Sequence, residues 1–342
     1  MSNPGSLPES IASLPKAELH LHLEGSIQPP TVRTLTSRCG LNVSEEEIRL
    51  RYAYGNFSEF IEAFKWVTSF LREPRDYALI TRDLAEYLLL QDVVYAEVTL
   101  SVGVMLLRQQ RPEATFEAIL RESEHFAGRG LRFNWIFDGV RQFGAEAAMQ
   151  VVDAARNCAS TSIVAFGIGG DELSVDTREF RSVYDAAANL GLHRLMHAGE
   201  VGGPEKIREA VELLDIERIG HGIASINDAA LMDLLAERRI PLEICPTSNV
   251  RTGALALQLH RPLPAIEEHP LPQLYRHGIP VVLSTDDPAM FQTTLTEEYE
   301  HARRMGLSKP ELAHLASLSF EYAFLSEAEK RALQHTPHEP TQ

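Results

Sequence analysis

The sequence predicts an α/β protein built as a (β/α)8 TIM barrel. It reads as a single domain over residues 1–342, with a helical lid inserted after the first strand and a helical tail at the C-terminus. Three observations predict it. Eight short apolar or β-branched runs recur along the chain, most of them followed by a longer stretch of helical periodicity, the alternation that parallel strands and crossover helices impose. No glycine-rich phosphate turn follows the first run, as it usually does in an open doubly wound sheet. Histidines and carboxylates fall at the ends of four runs, the face on which such barrels build their sites.

In order, the runs are Ala17 to His22, Val93 to Leu100, Phe133 to Phe137, Ile163 to Gly167, Arg194 to His197, Arg218 to His221, Pro241 to Ile244 and Pro280 to Ser284. About seventy residues separate the first from the second, far more than one crossover needs. That span shows helical periodicity at Phe57 to Leu71 and Arg75 to Leu90, so residues 43–91 are expected to form the lid. Its phenylalanines stand at helical spacing, and such stripes more often pack into a core than touch a ligand. The tail is expected from Lys309, with a frayed end from His335 to Gln342. No linker rich in glycine, serine or proline divides the chain, and no repeat is present beyond the strand-helix alternation.

With 44% hydrophobic and 23% charged residues the chain has ample material for a packed core. Lysine plus arginine total 32 against 48 acidic residues, a net charge of -16 that disfavours nucleic acid and leaves a small neutral or cationic substrate easier to hold. Cys39, Cys158 and Cys245 are odd in number and far apart, which argues against a disulfide framework or a thiolate metal site. Met1 to Ser13 lacks the basic start and apolar run of a secretory signal, and no apolar segment is long enough to span a bilayer. A cytoplasmic chain without a membrane partner is therefore expected.

Glu18-Leu19-His20-Leu21-His22 separates two histidines by one residue, which on a strand turns both imidazoles to one face, a chelating geometry. Alone, the pair is as readily two histidines in a half-buried polar strand. His197 ends the fifth run beside Ala198 and Gly199, small residues that let a ligand approach. His221 ends the sixth between Gly220 and Gly222, either open to a cavity or merely capping a loop. Ser284-Thr285-Asp286-Asp287-Pro288 ends the eighth with adjacent carboxylates, costly to bury without a cation or proton, although the same residues also suit a helix N-cap.

Their meeting on one barrel face outweighs the separate readings. His20, His22 and His197 offer three neutral nitrogens and Asp286 an oxygen, a set suited to one Zn2+ per chain, with iron or manganese fitting the same donors. Such an ion lowers the pKa of bound water towards about 7, so that hydroxide is available for hydrolysis. Glu200 would donate a proton to a ring nitrogen as hydroxide adds to the adjacent carbon. His221 would hold the hydroxide, and Asp287 would accept a hydrogen bond from the substrate.

Together these segments resemble the adenosine deaminase family over most of the chain, from about Pro15 to Phe291. Pro15-Lys16-Ala17-Glu18-Leu19-His20-Leu21-His22-Leu23-Glu24-Gly25 is similar to that family's first-strand signature. His197-Ala198-Gly199-Glu200, Gly220-His221-Gly222 and Ser284-Thr285-Asp286-Asp287-Pro288 match its later signatures in order. The resemblance implies zinc on His20, His22, His197 and Asp286, a proton shuttle to purine N1 at Glu200, orientation of the hydroxide by His221 and a bond from Asp287 to N7. It also implies that the amide of Gly170, in Ile168-Gly169-Gly170-Asp171-Glu172, meets purine N3, the alternative being an ordinary glycine turn. The implied reaction converts a 6-aminopurine nucleoside into the 6-oxo purine and ammonia.

Two places depart from the adenosine-acting members. Glu24 stands where they carry the aspartate that meets the ribose 5′-hydroxyl, and Tyr95 to Gly103 replaces their arginine-containing strand and its Ser-Pro. Both lie near the expected sugar end and resemble branches acting on adenine or on 6-aminodeoxyfutalosine, a nucleoside with a bulky 5′-extension used in menaquinone synthesis. The segment Phe57 to Val67 resembles the lid of nucleoside-acting members, which favours a nucleoside over the free base. A related amidohydrolase cleaving an amide, lactone or phosphoester often carries two metals and a bridging lysine, and no lysine lies near the end of the fourth run. A non-catalytic metal-binding module would be expected to have lost a ligand or Glu200, and neither is missing. The cytidine-type signature fails because Cys245, before Pro246, has no partner cysteine. His193, His260 and His277, outside the motifs, read as packing or surface residues.

Overall fold

The computed structural model describes residues 14–55 and 57–334, so the end expected to fray at His335–Gln342 lies outside them. Eight strands follow one another around a nearly closed barrel: β1 (Lys16–His22), β2 (Val93–Leu100), β3 (Arg132–Val140), β4 (Ile163–Gly169), β5 (His193–Ala198), β6 (Arg218–His221), β7 (Leu242–Ile244) and β8 (Val281–Leu283). Every neighbouring pair is parallel. The runs buried on both faces, such as Val93–Leu100, are what a sheet wrapped in helices requires. Just beyond the end of β8 the backbone of Asp286 bridges to β1, its N–H donating to the His20 carbonyl at 3.1 Å and its carbonyl accepting from His22 N–H at 2.9 Å. β3 runs past the expected Phe137, because Asp138, Gly139 and Val140 still pair with Gly167, Ile168 and Gly169 of β4.

Four helices fill the span between β1 and β2: α1 (Pro29–Arg38), α2 (Glu45–Arg51), α3 (Phe57–Thr68) and α4 (Pro74–Leu89). Ser44 starts α2 by accepting the Glu47 N–H at 3.1 Å, and Pro74 opens α4 where no intrahelical N–H is needed. Within the expected lid these helices divide the work. α3 lies along the cavity at the barrel mouth, whereas α4 buries Ile80, Leu84 and Leu88 and packs beside α5 (Pro112–Ala127), as a crossover helix does. The tail begins where expected, with α8 (Lys309–Glu321) burying Leu312, Leu315 and Phe320 against β1 and β8. Two shorter helices that shape the site precede it, α6 (Pro246–Arg251) and α7 (Leu271–Arg276). No described helix is long and apolar enough to cross a membrane.

Below the mouth the barrel interior is charged rather than filled only by branched apolar side chains. Arg218 of β6, 1% exposed, makes ion pairs of 2.6 Å with both Glu97 of β2 and Glu243 of β7, and lies 3.9 Å over the ring of Phe324. Burial opposes the charge on Glu243, but Arg218 and His20 outweigh it and hold that carboxyl below its ordinary range.

Candidate active site

At the C-terminal ends of the strands, His20 of β1, His197 of β5, His221 of β6 and Asp286 after β8 each present a donor atom within 4.8 Å of the others. His22 stands beside this group, its Nε2 3.3 Å from Asp286 Oδ1, where His20 Nε2 lies at 3.6 Å. Of the four expected ligands, His20, His197 and Asp286 belong to this group and His22 lies beside it, while His221 joins it, its Nε2 3.6 Å from Glu200 Oε2 and 3.9 Å from Asp286 Oδ2. His221 and Asp286 both adopt positive φ, 60° and 67°, conformations that residues with a Cβ seldom adopt and that here turn strand-end side chains into the mouth.

The donors fit a cation. His20 Nδ1 is held at 2.7 Å by Glu243 Oε2, while its Nε2 is buried without a hydrogen-bond partner, the arrangement by which an outer carboxylate aims an imidazole at a metal. Burial opposes protonation of His20, yet Asp286 and Glu243 draw its pKa up to about 10, the mark of a spot whose field favours positive charge. Ser248 on α6 donates to Asp286 Oδ2 at 2.6 Å and fixes the carboxylate plane.

Glu200 sits on the loop after β5, and its backbone is clamped from two sides. The Glu172 carboxylate accepts the N–H groups of Gly199, Glu200 and Gly202 at 2.9–3.0 Å, and Gln258 donates to the carbonyls of Glu200 and Gly202 at 2.8 and 3.0 Å. Thr252 donates to its Oε1 at 3.3 Å. Burial first, then the Asp286 and Glu172 carboxylates, push the Glu200 carboxyl up to about 8, so it carries a proton at neutral pH. Burial and the adjacent Asp286 likewise raise Asp287, whose Oδ1 is buried and unpartnered. Gly25 makes room for it, since a Cβ there would fall inside the Asp287 carboxyl.

His22, His197, Glu200, His221, Thr252, Asp286 and Asp287 line a cavity of about 430 Å3 between the strand ends and α3, and His20 stands outside its lining. Gly170 lines it too, at φ 99°, and a Cβ there would collide with Gln142, which accepts the Asp171 N–H at 3.0 Å. Glu24 is not part of the wall. Its Oε1 accepts the amide of Ser101, a wall residue, at 3.1 Å, while its Oε2 is buried and unpartnered and burial raises its carboxyl to about 7. The lid phenylalanines do more than the expected packing. Phe60 packs against Phe291 with ring centroids 4.9 Å apart and tilted by 32°, and it lines the cavity together with Phe57 and Phe64. A larger surface cleft of about 790 Å3 beside Arg33 and Glu297 contains none of the cluster.

The family model described as adenosine deaminase matches residues 15–338. The chain belongs to the adenosine deaminase family. An aminodeoxyfutalosine deaminase of Streptomyces coelicolor is 37% identical over 330 residues, covering 94% of this chain and 83% of that protein. An adenine deaminase of the same organism is 33% identical over 331 residues, covering 94% of each. Among solved structures, adenine deaminase from Arthrobacter aurescens superposes with a TM-score of 0.87 at 29% identity, over 94% of this chain and 97% of that one. As a member of the adenosine deaminase family, the chain is a hydrolase acting on a C–N bond.

Several residues that hold this adenosine deaminase-family site together stood outside the sequence reading. Glu243 and Glu97 carried a signal, being charged residues inside short strand runs that can be buried only when paired. Asp138, read as lying past the end of its strand, is 5% exposed on β3, lines the cavity and leaves Oδ1 unpartnered. Asn249, His269 and Gln258 gave no local signal, since their roles depend on partners in other elements.

Proposed function

We propose that this family member hydrolyses the 6-amino group of a purine nucleoside, either adenosine or a 5′-modified adenosine such as 6-aminodeoxyfutalosine, to the 6-oxo purine and ammonia. The observation that carries this reading is the meeting, around one cavity of about 430 Å3, of His22, His197, His221 and Asp286 with Glu200 and Asp287. One Zn2+ on His20, His22, His197 and Asp286 would supply, through the lowered pKa of bound water, a hydroxide nucleophile near neutral pH. His22 is preferred to His221 as the third imidazole because it lies closer to Asp286, whereas His221 turns towards Glu200.

The chain's own groups supply the rest. Glu200, kept protonated by burial and its acidic neighbours, donates to N1 of the ring as the adjacent carbon is attacked. Asp287, also held in its neutral form, offers a hydrogen to N7, and the Gly170 amide, free of the side chain that would block approach, meets N3. His221 orients the attacking oxygen.

A nucleoside is favoured over the free base by what lies beyond the base. The cavity falls within the roughly 300–1,000 Å3 range of sites that hold drug-sized ligands, and Arg108 and Lys65 are among its lining residues. The unpartnered Oδ1 of Asp138, which lines the cavity, offers a partner for a sugar hydroxyl that adenine would leave unused. The aminodeoxyfutalosine deaminase among the relatives supports the same choice. Purified protein tested on adenine, adenosine, 2′-deoxyadenosine and 6-aminodeoxyfutalosine, with loss of the adenine absorbance followed, is expected to prefer the nucleosides. A strong preference for adenine would assign the free base instead.

A further inference from the structure

We infer that Asn249 and His269 fix the tautomer of His221, so that its Nε2 carries a hydrogen into the site and acts as a hydrogen-bond donor, not as a metal ligand. The backbone N–H of Leu271, at the head of α7, donates to His269 Nδ1 at 3.1 Å. A backbone N–H only donates, so that ring nitrogen is bare and the hydrogen of His269 is on Nε2. His269 Nε2 faces Asn249 at 3.2 Å, and a donor there requires the amide oxygen. The orientation of an amide is ordinarily a matter of assignment, but here the Leu271 amide dictates it.

Asn249 must then turn its NH2 to His221, and it does so at 3.1 Å from Nδ1. That nitrogen accepts, and the hydrogen of His221 is on Nε2, facing Glu200 Oε2 at 3.6 Å and Asp286 Oδ2 at 3.9 Å. An imidazolium at either histidine would set two donors against each other, so the relay excludes it. Asn249 is 0%, His221 1% and His269 3% exposed, and bulk water has no access to scramble the order.

Two consequences follow for the site. His221 lies near enough to share an ion with His20, His197 and Asp286, yet neither of its nitrogens has a lone pair to offer, because Asn249 occupies one and a hydrogen the other. It also holds the attacking oxygen by donating to it. Asn249 and His269 are thus positioning residues two steps removed from the reacting atoms. The catalytic part of this inference rests on the deaminase reading above, whereas the tautomer does not.

The test uses full-length protein labelled with 15N-histidine, metal-free and metal-loaded, and long-range 1H–15N correlation spectra. His221 and His269 signals are assigned by their loss in His221→Gln and His269→Gln. Both rings are expected to be protonated at Nε2 and bare at Nδ1. In Asn249→Asp a carboxylate accepts from both rings, so the hydrogen of His221 moves to Nδ1. With the donor misplaced, kcat/KM is expected to fall on the order of 100-fold or more at unchanged metal content. A wild-type His221 bare at Nε2 overturns the tautomer, and a wild-type ring pattern in Asn249→Asp overturns its control by Asn249. An inverted pattern with undiminished kcat/KM overturns the donor role. Should Asn249→Asp not fold, the wild-type spectra decide the tautomer by themselves. Wild-type protein that turns over no 6-aminopurine would refute the proposed substrate class and leave the spectral result standing.

Discussion

The proton on Glu200 is kept there by burial and by two carboxylates, Asp286 and Glu172, and deamination by the proposed route spends that proton on the ring. Because the competent form of Glu200 is the protonated one, kcat/KM should decline as pH rises through about 8, while loss of the hydroxide nucleophile sets the acid limb. Glu200→Gln is expected to keep its metal, lose roughly 10²–10⁴-fold in turnover and lose that alkaline limb. Full activity in the variant would remove Glu200 from the role of donor. Glu243 acts one bond further out, through the 2.7 Å contact that aims His20. Glu243→Gln should weaken metal binding by about 10–100-fold, as loss of an outer partner of a ligand does, measured by competition with a chelator. Glu243 was legible only as a charge that must be paired inside a strand, and Asn249 not at all. A motif shows which side chains stand at a strand end, and their partners come from strands and helices far along the chain.

Strands β2, β6 and β7 are joined inside the barrel by Glu97, Arg218 and Glu243. Removing the cation would leave two buried carboxylates facing each other, so Arg218→Met is expected to cost about 3–5 kcal/mol, read from the urea unfolding midpoint. A loss below about 1 kcal/mol would place that network among the dispensable ones. The strands themselves were readable because fully buried runs and helical periodicity are local patterns. Their ends were less so. Asp138 and Gly139 look like a turn, and only pairing with β4 keeps them in β3. The lid shows the same limit, because helical periodicity identifies α3 and α4 equally, while packing against α5 makes one of them a crossover and leaves the other over the cavity.

For the molecule as a whole, the proposed ligands come from β1, β5 and the segment after β8, so only the folded barrel assembles them. A metal that binds the native state alone stabilises it by mass action, and chelation is expected to lower Tm on the order of 5 °C for a domain of this size, restored by added zinc. An unchanged Tm would mean that the cluster holds no ion with useful affinity. The eight-fold alternation and the motifs at strand ends, His20-Leu21-His22, His197 to Glu200, His221 and Asp286-Asp287, were set by the amino-acid order alone. They depend on periods of two and 3.6 residues and on which residue ends a run, and both are local properties. Barrel closure decided the rest. It brought Glu243 to His20, Glu172 to the amides around Glu200, and the Leu271 amide, through His269 and Asn249, to His221. Those pairings join residues whose chain neighbours place no demand on them, and for that reason they exist only in three dimensions.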